Sequence, residues 1–186
     1  GEGAYEETEK VIQELLGESV SAQAEESAET PDFSQIGTPE LYLGYSFARA
    51  PLGNEEGFSP GNVVDYGNIG AKDAKTPNAV YLSGKWKNEA DRIVAAENAK
   101  LFLVYTAKDV NIVAGSTQAV NMEIFLDGKI LDAGELGNDS EEDNSKTITR
   151  ISSKRLYNIV SAPSYETRLL ELRAEPGFEL YTFTFG

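Results

Sequence analysis

The stretch "AVNMEIFLDGK", residues 119–129, sets the fold class. Val120, Met122, Ile124 and Leu126 alternate with Asn121, Glu123 and Phe125. A period of two puts the first set on one face of a strand and the second set on the other. Asp127-Gly128 then supplies the pair of residues that most readily turns a hairpin. One buried face and one wet face, ended by a tight turn, describe an antiparallel strand and exclude an amphipathic helix.

The same period recurs on both sides. Downstream come "TITRIS" (147–152), "RLYNIV" (155–160), "TRLLELRA" (167–174) and "LYTFTFG" (180–186). The last is expected to place Tyr181, Phe183 and Phe185 on one face, opposite Thr182 and Thr184. Upstream, "ELYLGYSFA" (40–48) alternates at Leu41, Leu43, Tyr45 and Phe47, and "AVYLSGKW" (79–86) at Val80, Leu82, Gly84 and Trp86. "DRIVAAE" (91–97) and "DVNIVAG" (109–115) are short strand candidates, and "KLFLVYTA" (100–107) is apolar enough to be covered on both faces. About nine short strands separated by turn residues, with no βαβ rhythm, predict a mainly β fold: an antiparallel β-sandwich of the jelly-roll or Greek-key type.

The beginning of the chain differs. "GEGAYEETEKVIQELLGES" predicts a helix from Tyr5 to Leu16, with Val11, Ile12, Leu15 and Leu16 in one apolar stripe. Glu6, Glu7 and Glu9 sit in the first turn, where the helix dipole favours anions, and Gly17 stops it. Residues 18–37 have the Ser, Ala, Glu and Pro composition of a linker, with Phe33 and Ile36 as docking points near its end. The division is therefore 1–17 helix, 18–37 linker and 38–186 sandwich. Two loops interrupt the strands: 51–77, rich in Gly, Asn and Pro, and the acidic 134–145.

The 186 residues include neither Cys nor His and carry a formal charge of −15. That removes thiol chemistry, disulfides and the usual zinc sites from these residues. The negative field disfavours nucleic acid and anionic lipid. No apolar run approaches the roughly 20 residues that cross a bilayer. No nucleophile elbow, P-loop or dinucleotide fingerprint is present, so no enzyme activity is expected within this chain.

Two candidate sites emerge. Asp139, Glu141, Glu142 and Asp143 crowd hard oxygen donors into one loop, where Asp139, Glu141 and Asp143 could hold Ca²⁺; their spacing is not that of an EF-hand, and a solvated hairpin tip is the alternative. Trp86, Tyr66, Tyr81 and Tyr157 could form an aromatic platform for a sugar, with Asp65, Asn68, Arg92 and Asp127 reaching its hydroxyls. Trp86 shares a face with Val80 and Leu82, which fits the core equally well, leaving Tyr81 and Tyr66 as the better exposed candidates.

As an ordered set, "TPELYLGYSFA", "YLSGKW" followed by Glu89, "AKLFLVYTAKDVNIVAG", "VNMEIFLDGK", "SKRLYNIV" and the terminal "FELYTFTFG" resemble the C-terminal module of DipZ-type thiol:disulfide interchange proteins. The resemblance covers residues 38–186. It implies a sandwich similar to carbohydrate-binding modules, placed after a thioredoxin-like domain, often with a membrane-embedded electron-transfer domain further upstream. "GEGAYEETEKVIQELL" is then similar to the last helix of that thioredoxin-like domain. The family's Cys-x-x-Cys has no counterpart here, so no catalytic residue carries over. What the resemblance implies is a non-catalytic accessory module outside the cytoplasm, in the periplasm or cell envelope, tethered to the membrane through its parent. Its partners would be the upstream thioredoxin-like domain and either a glycan, envelope material or a protein client. The alternative is a docking domain that packs on that thioredoxin-like domain and shapes client access.

Overall fold

The computed structural model describes residues 33–49 and 51–186. The expected helix at 5–16 and most of the 18–37 linker lie outside the described residues. What is described is antiparallel β throughout, with one-turn helices only at Phe33–Gln35 and Ala71–Asp73. The strands are β1 (Leu41–Tyr42), β2 (Val63–Asp65), β3 (Val80–Ser83), β4 (Lys85–Asn88), β5 (Ile93–Ala95), β6 (Ala99–Gly115), β7 (Val120–Leu126), β8 (Glu141–Asp143), β9 (Lys146–Ile151), β10 (Arg155–Ala174) and β11 (Glu179–Phe185). They pair in the order β2-β4-β5-β11-β6-β10-β7-β9-β8, with β1 on β11 and β3 on β6.

This single ladder folds over into two layers because β6 and β10 run through both. Ala99–Ala107 of β6 pairs with Glu166–Ala174 of β10, beside β3 and β7. Beyond the bend, Asp109–Ala114 pairs with Arg155–Ser161 of β10 and, on its other side, with β11. The two candidate strands 100–107 and 109–115 are thus one, as are 155–160 and 167–174.

A β-bulge makes the bend. The amides of Lys108 and Asp109 both donate to the Gly186 carbonyl, each at 2.9 Å, so two residues oppose one. The extra residue switches which positions face inward. Leu101, Leu103, Tyr105 and Ala107 are buried before it, and Val110, Ile112 and Ala114 after it. On β10 the register breaks between Ser161 and Glu166, where Pro163 has no amide to lose. One core cluster joins both layers, with Trp86, Ile93, Leu180 and Phe183 meeting Leu101, Leu103 and Ile124.

Three expectations need correction. "ELYLGYSFA" is strand only at Leu41–Tyr42. Gly44 lies against the backbone of Ala90 and Asp91, where an added Cβ would come within 2.3 Å, and the chain turns away there. Tyr45 and Phe47 are consequently exposed, at 36% and 59%. "AVYLSGKW" divides at Gly84, whose φ of +78° lets the chain pass from β3 to β4 while Val80, Leu82 and Trp86 all stay in the core. In β11, a register shift between Leu180 and Thr182 displaces Tyr181 from the face of Phe183.

The apolar strand 100–107 is covered on both faces. Leu101 and Leu103 enter the main core; Phe102 packs on the opposite side with Tyr81 and Ala74. The 51–77 segment is well anchored. Asn54 pairs through its amide with the Leu82 backbone (2.7 and 2.9 Å), and the Tyr66 hydroxyl lies within hydrogen-bond reach of the Gly57 carbonyl (2.9 Å) and the Asn88 side-chain oxygen (3.0 Å).

Candidate functional site

The expected aromatic platform does not exist as a surface. Trp86 and Tyr157 are 0% exposed, Tyr66 2% and Tyr81 8%. Each is held by its own contacts. The Trp86 indole donates to the Ser83 carbonyl at 3.1 Å. The Tyr157 hydroxyl donates to the Ser153 carbonyl at 2.7 Å and receives the Ser152 and Ser153 amides. The Tyr81 ring lies so close beneath Gly53 that an added Cβ would meet it at 2.4 Å. None of the four rings offers a face on which a sugar could stack.

The polar members are also scattered. Asp65 accepts the Gly67 amide within its own turn, and Asn68 is exposed beyond it. Arg92, before β5, pairs with Asp91 at 2.7 Å and Glu179 at 3.5 Å, and lies over the Tyr181 ring. Tyr181, displaced by the β11 bulge, also carries the Lys154 ammonium 3.7 Å from its ring centroid. Burial, then its hydrogen bond to the Glu179 carboxylate, pushes the Tyr181 hydroxyl up to about 12. Asp127 follows β7 in the other layer, where it accepts the Leu169 amide at 2.9 Å and pairs with Arg168.

The calcium candidates part company as well. Asp139 pairs with Arg155 at 2.7 Å and accepts the Asn158 amide at 2.8 Å. Burial pushes its carboxyl up, but these two partners outweigh burial and hold it below the ordinary carboxylate range. Glu141 and Asp143 lie in β8, exposed, in a hairpin whose turn residues Asn144 and Ser145 have φ of +49° and +61°. Among the described residues no three carboxylates converge on a point that could hold an ion. Glu141, Glu142 and Asp143 lie exposed along one arm of that hairpin.

What the fold does assemble is a row of charges across the outer face of the β3–β6–β10–β7–β9–β8 layer. Register places Arg173 of β10 directly between Lys100 of β6 and Glu123 of β7. Residues opposed in an antiparallel pair stand side by side on one face. Glu171, 7% exposed, accepts from Arg173 at 2.7 Å and lies 3.7 Å from the Lys100 ammonium. Glu123 approaches Arg173 at 3.9 Å and pairs with Lys146. The Arg173 guanidinium lies 4.0 Å from the Phe125 ring centroid, which steadies it. Beside this row lies an open groove of about 420 Å³ reaching Asn98, Asn121 and Glu175. The arrangement offers fixed donors and acceptors of both signs along one line, with no thiol, imidazole or metal cluster among the described residues.

The sequence reading missed these residues because it searched for aromatic rings. Their signal was nonetheless there: "LLELRA" and "VNMEIF" alternate, and the polar partners of the core residues are Glu171, Arg173 and Glu123.

Fold and groove together define an antiparallel β-sandwich module with a charged groove on one outer face. The chain belongs to the family of thioredoxin-like C-terminal domains, whose family model matches residues 38–186. Over its full length it is 28% identical to Protein DipZ of Mycobacterium bovis and to Protein DipZ of Mycobacterium tuberculosis, aligned over 197 residues in each. It therefore has the make-up of the C-terminal region of a DipZ-type thioredoxin-like protein. The chain spans 24% of the length of those relatives. Among solved structures, an active-site mutant of a family two carbohydrate esterase from Clostridium thermocellum superposes with a TM-score of 0.46 at 13% identity, covering 60% of this chain and 32% of that one. That likeness is too slight to carry function across.

Proposed function

We propose that this module is a non-catalytic binding domain of an extracytoplasmic thiol:disulfide oxidoreductase, and that its ligand is a polyhydroxylated polymer of the cell envelope lying along the Lys100–Arg173–Glu123 row. The observation that carries this is the row itself, in which three strands, β6, β10 and β7, present paired charges of both signs along an open groove. Sugar hydroxyls donate and accept at once, so alternating carboxylates and cations match them better than they match a polyanion. Redox chemistry belongs to cysteines outside this chain, since this one has none. The module's contribution is effective concentration, because tethering a catalyst near its substrates raises encounter without new chemistry.

A second reading, a docking domain for the thioredoxin-like part, draws on the end of the linker. Gly37 donates to the Thr106 carbonyl at 2.9 Å, and Thr38, 2% exposed, accepts the Thr106 amide at 2.7 Å. Ile36 packs against the core cluster. The last linker residues thus belong to the module's own fold.

Co-sedimentation with insoluble envelope polysaccharide tests the first reading. The wild-type chain should pellet with the polymer, and Arg173→Met with Lys100→Met should reduce retention about tenfold, as expected for losing two charge-assisted hydrogen bonds. Retention unchanged by the double substitution would reject the groove as the site.

A further inference from the structure

A second surface, independent of the groove and of the polymer reading, has the features of a peptide-docking edge. The amide of Leu43 donates to the Tyr181 carbonyl at 2.9 Å. In the antiparallel register Leu41↔Phe183, Tyr42↔Thr182, that makes Leu41 and Leu43 the hydrogen-bonded positions and Tyr42 the non-bonded one between them. The N–H and C=O of Tyr42 therefore point away from β11, toward the edge of β1 that no described strand pairs. An open strand edge is a template for another strand.

This edge lines a cleft of about 240 Å³. Leu41, Leu52 and Val80, each under 9% exposed, are apolar members of its lining, and Phe58 adds to the wall. Drug-sized ligands occupy pockets of about 300–1,000 Å³, so this cleft suits a side chain or two better than a whole small molecule. At its mouth the Arg49 guanidinium lies 5.6 Å from the Tyr42 ring centroid and has no carboxylate partner among the described residues. The nearby Glu40 carboxylate is engaged by the Tyr42 hydroxyl at 2.7 Å. An unpaired cation beside an apolar cleft and an open strand edge matches one kind of ligand: an extended peptide whose apolar side chain enters the cleft and whose carboxylate reaches the cation.

We infer that this edge of β1 binds an extended peptide by strand addition, with an aliphatic side chain in the Leu41–Leu52–Val80 cleft and a carboxylate on Arg49. Main-chain pairing supplies affinity in such complexes, and the pocket supplies selectivity.

The test uses the whole chain and an acetylated pentapeptide of alternating threonine and valine ending in leucine, made once with a free carboxylate and once amidated. Backbone ¹⁵N shifts and amide exchange are followed. The acid peptide should shift Tyr42 and Val80 and slow exchange of the Tyr42 amide, which has no partner among the described residues. Arg49→Met, at an exposed position that leaves the core intact, should weaken the acid peptide about tenfold and leave the amidated peptide unchanged. Equal binding of both peptides, an Arg49→Met effect on both alike, shifts confined to the Lys100–Arg173 groove, or no shift at Tyr42 with either would each overturn the inference.

Discussion

Inserting one alanine between Asp109 and Val110 should unfold this protein, although the side chain of the neighbouring Lys108 is dispensable. The bulge formed by Lys108 and Asp109 opposite the Gly186 carbonyl keeps both halves of β6 in phase with one core. One residue added beyond the bulge reverses the facing of everything after it. Val110, Ile112 and Ala114, each 0% exposed, would turn outward, and Asn111 and Val113 inward. Burying a Val or Ile stabilises by about 1.5–3 kcal/mol, so exposing Val110 and Ile112 costs about 3–6 kcal/mol. Driving the Asn111 amide into the core unpaired adds about 1–3 kcal/mol. The sum, about 4–9 kcal/mol, rivals the 5–15 kcal/mol or so that holds a typical domain together. Lys108→Ala keeps the bulge and should change stability by no more than about 0.5 kcal/mol. Urea unfolding followed by the emission of the single, buried Trp86 distinguishes the two variants. An insertion variant that unfolds at the same midpoint as Lys108→Ala would refute the idea that the bulge sets the phase.

Three further outcomes follow from the contacts. Asp139 has a depressed carboxyl in the fold, so its pairing stabilises above its unfolded pKa of about 3.9 and is lost as pH falls through the lower folded value. Asp139→Asn should therefore be destabilised at neutral pH and converge with the parent below about pH 4; a gap that persists undiminished in strong acid contradicts the assignment. Tyr157→Phe should cost about 1–2 kcal/mol in chemical denaturation, because it strips the Ser153 carbonyl and the Ser152 and Ser153 amides of their shared partner; no loss would show that water replaces the hydroxyl freely. Millimolar calcium should leave the thermal midpoint unchanged, and a rise that Asp143→Asn abolishes would restore the hairpin 141–146 as a cation site.

Local alternation was the most legible feature. Val120, Met122, Ile124 and Leu126 all face the core, as their period demanded. What escaped were events set by distant residues. Lys108-Asp109 reads as a polar break between two strands, yet the Gly186 carbonyl turns it into a bulge within one. Tyr81 occupies the polar phase of its strand and reads as exposed, but the loop through Ala74 covers it. Tyr181 sits in the apolar phase and reads as core, but a register slip in β11 moves it among Arg92, Lys154 and Glu179. The groove shows the same division. Glu171, Arg173 and Glu123 were visible as the polar phases of their strands, whereas the register aligning them with Lys100 exists only once β6, β10 and β7 have paired.

Mapping envelope polysaccharide onto the ¹⁵N-labelled chain by backbone shift perturbation tests the central claim most directly. The account predicts a contiguous set of shifts centred on Lys100, Asn121, Glu123 and Arg173, lost in the Arg173→Met chain while the core resonances around Trp86 stay in place. Shifts absent throughout, or centred on another face such as Tyr181 and Arg92, would contradict it.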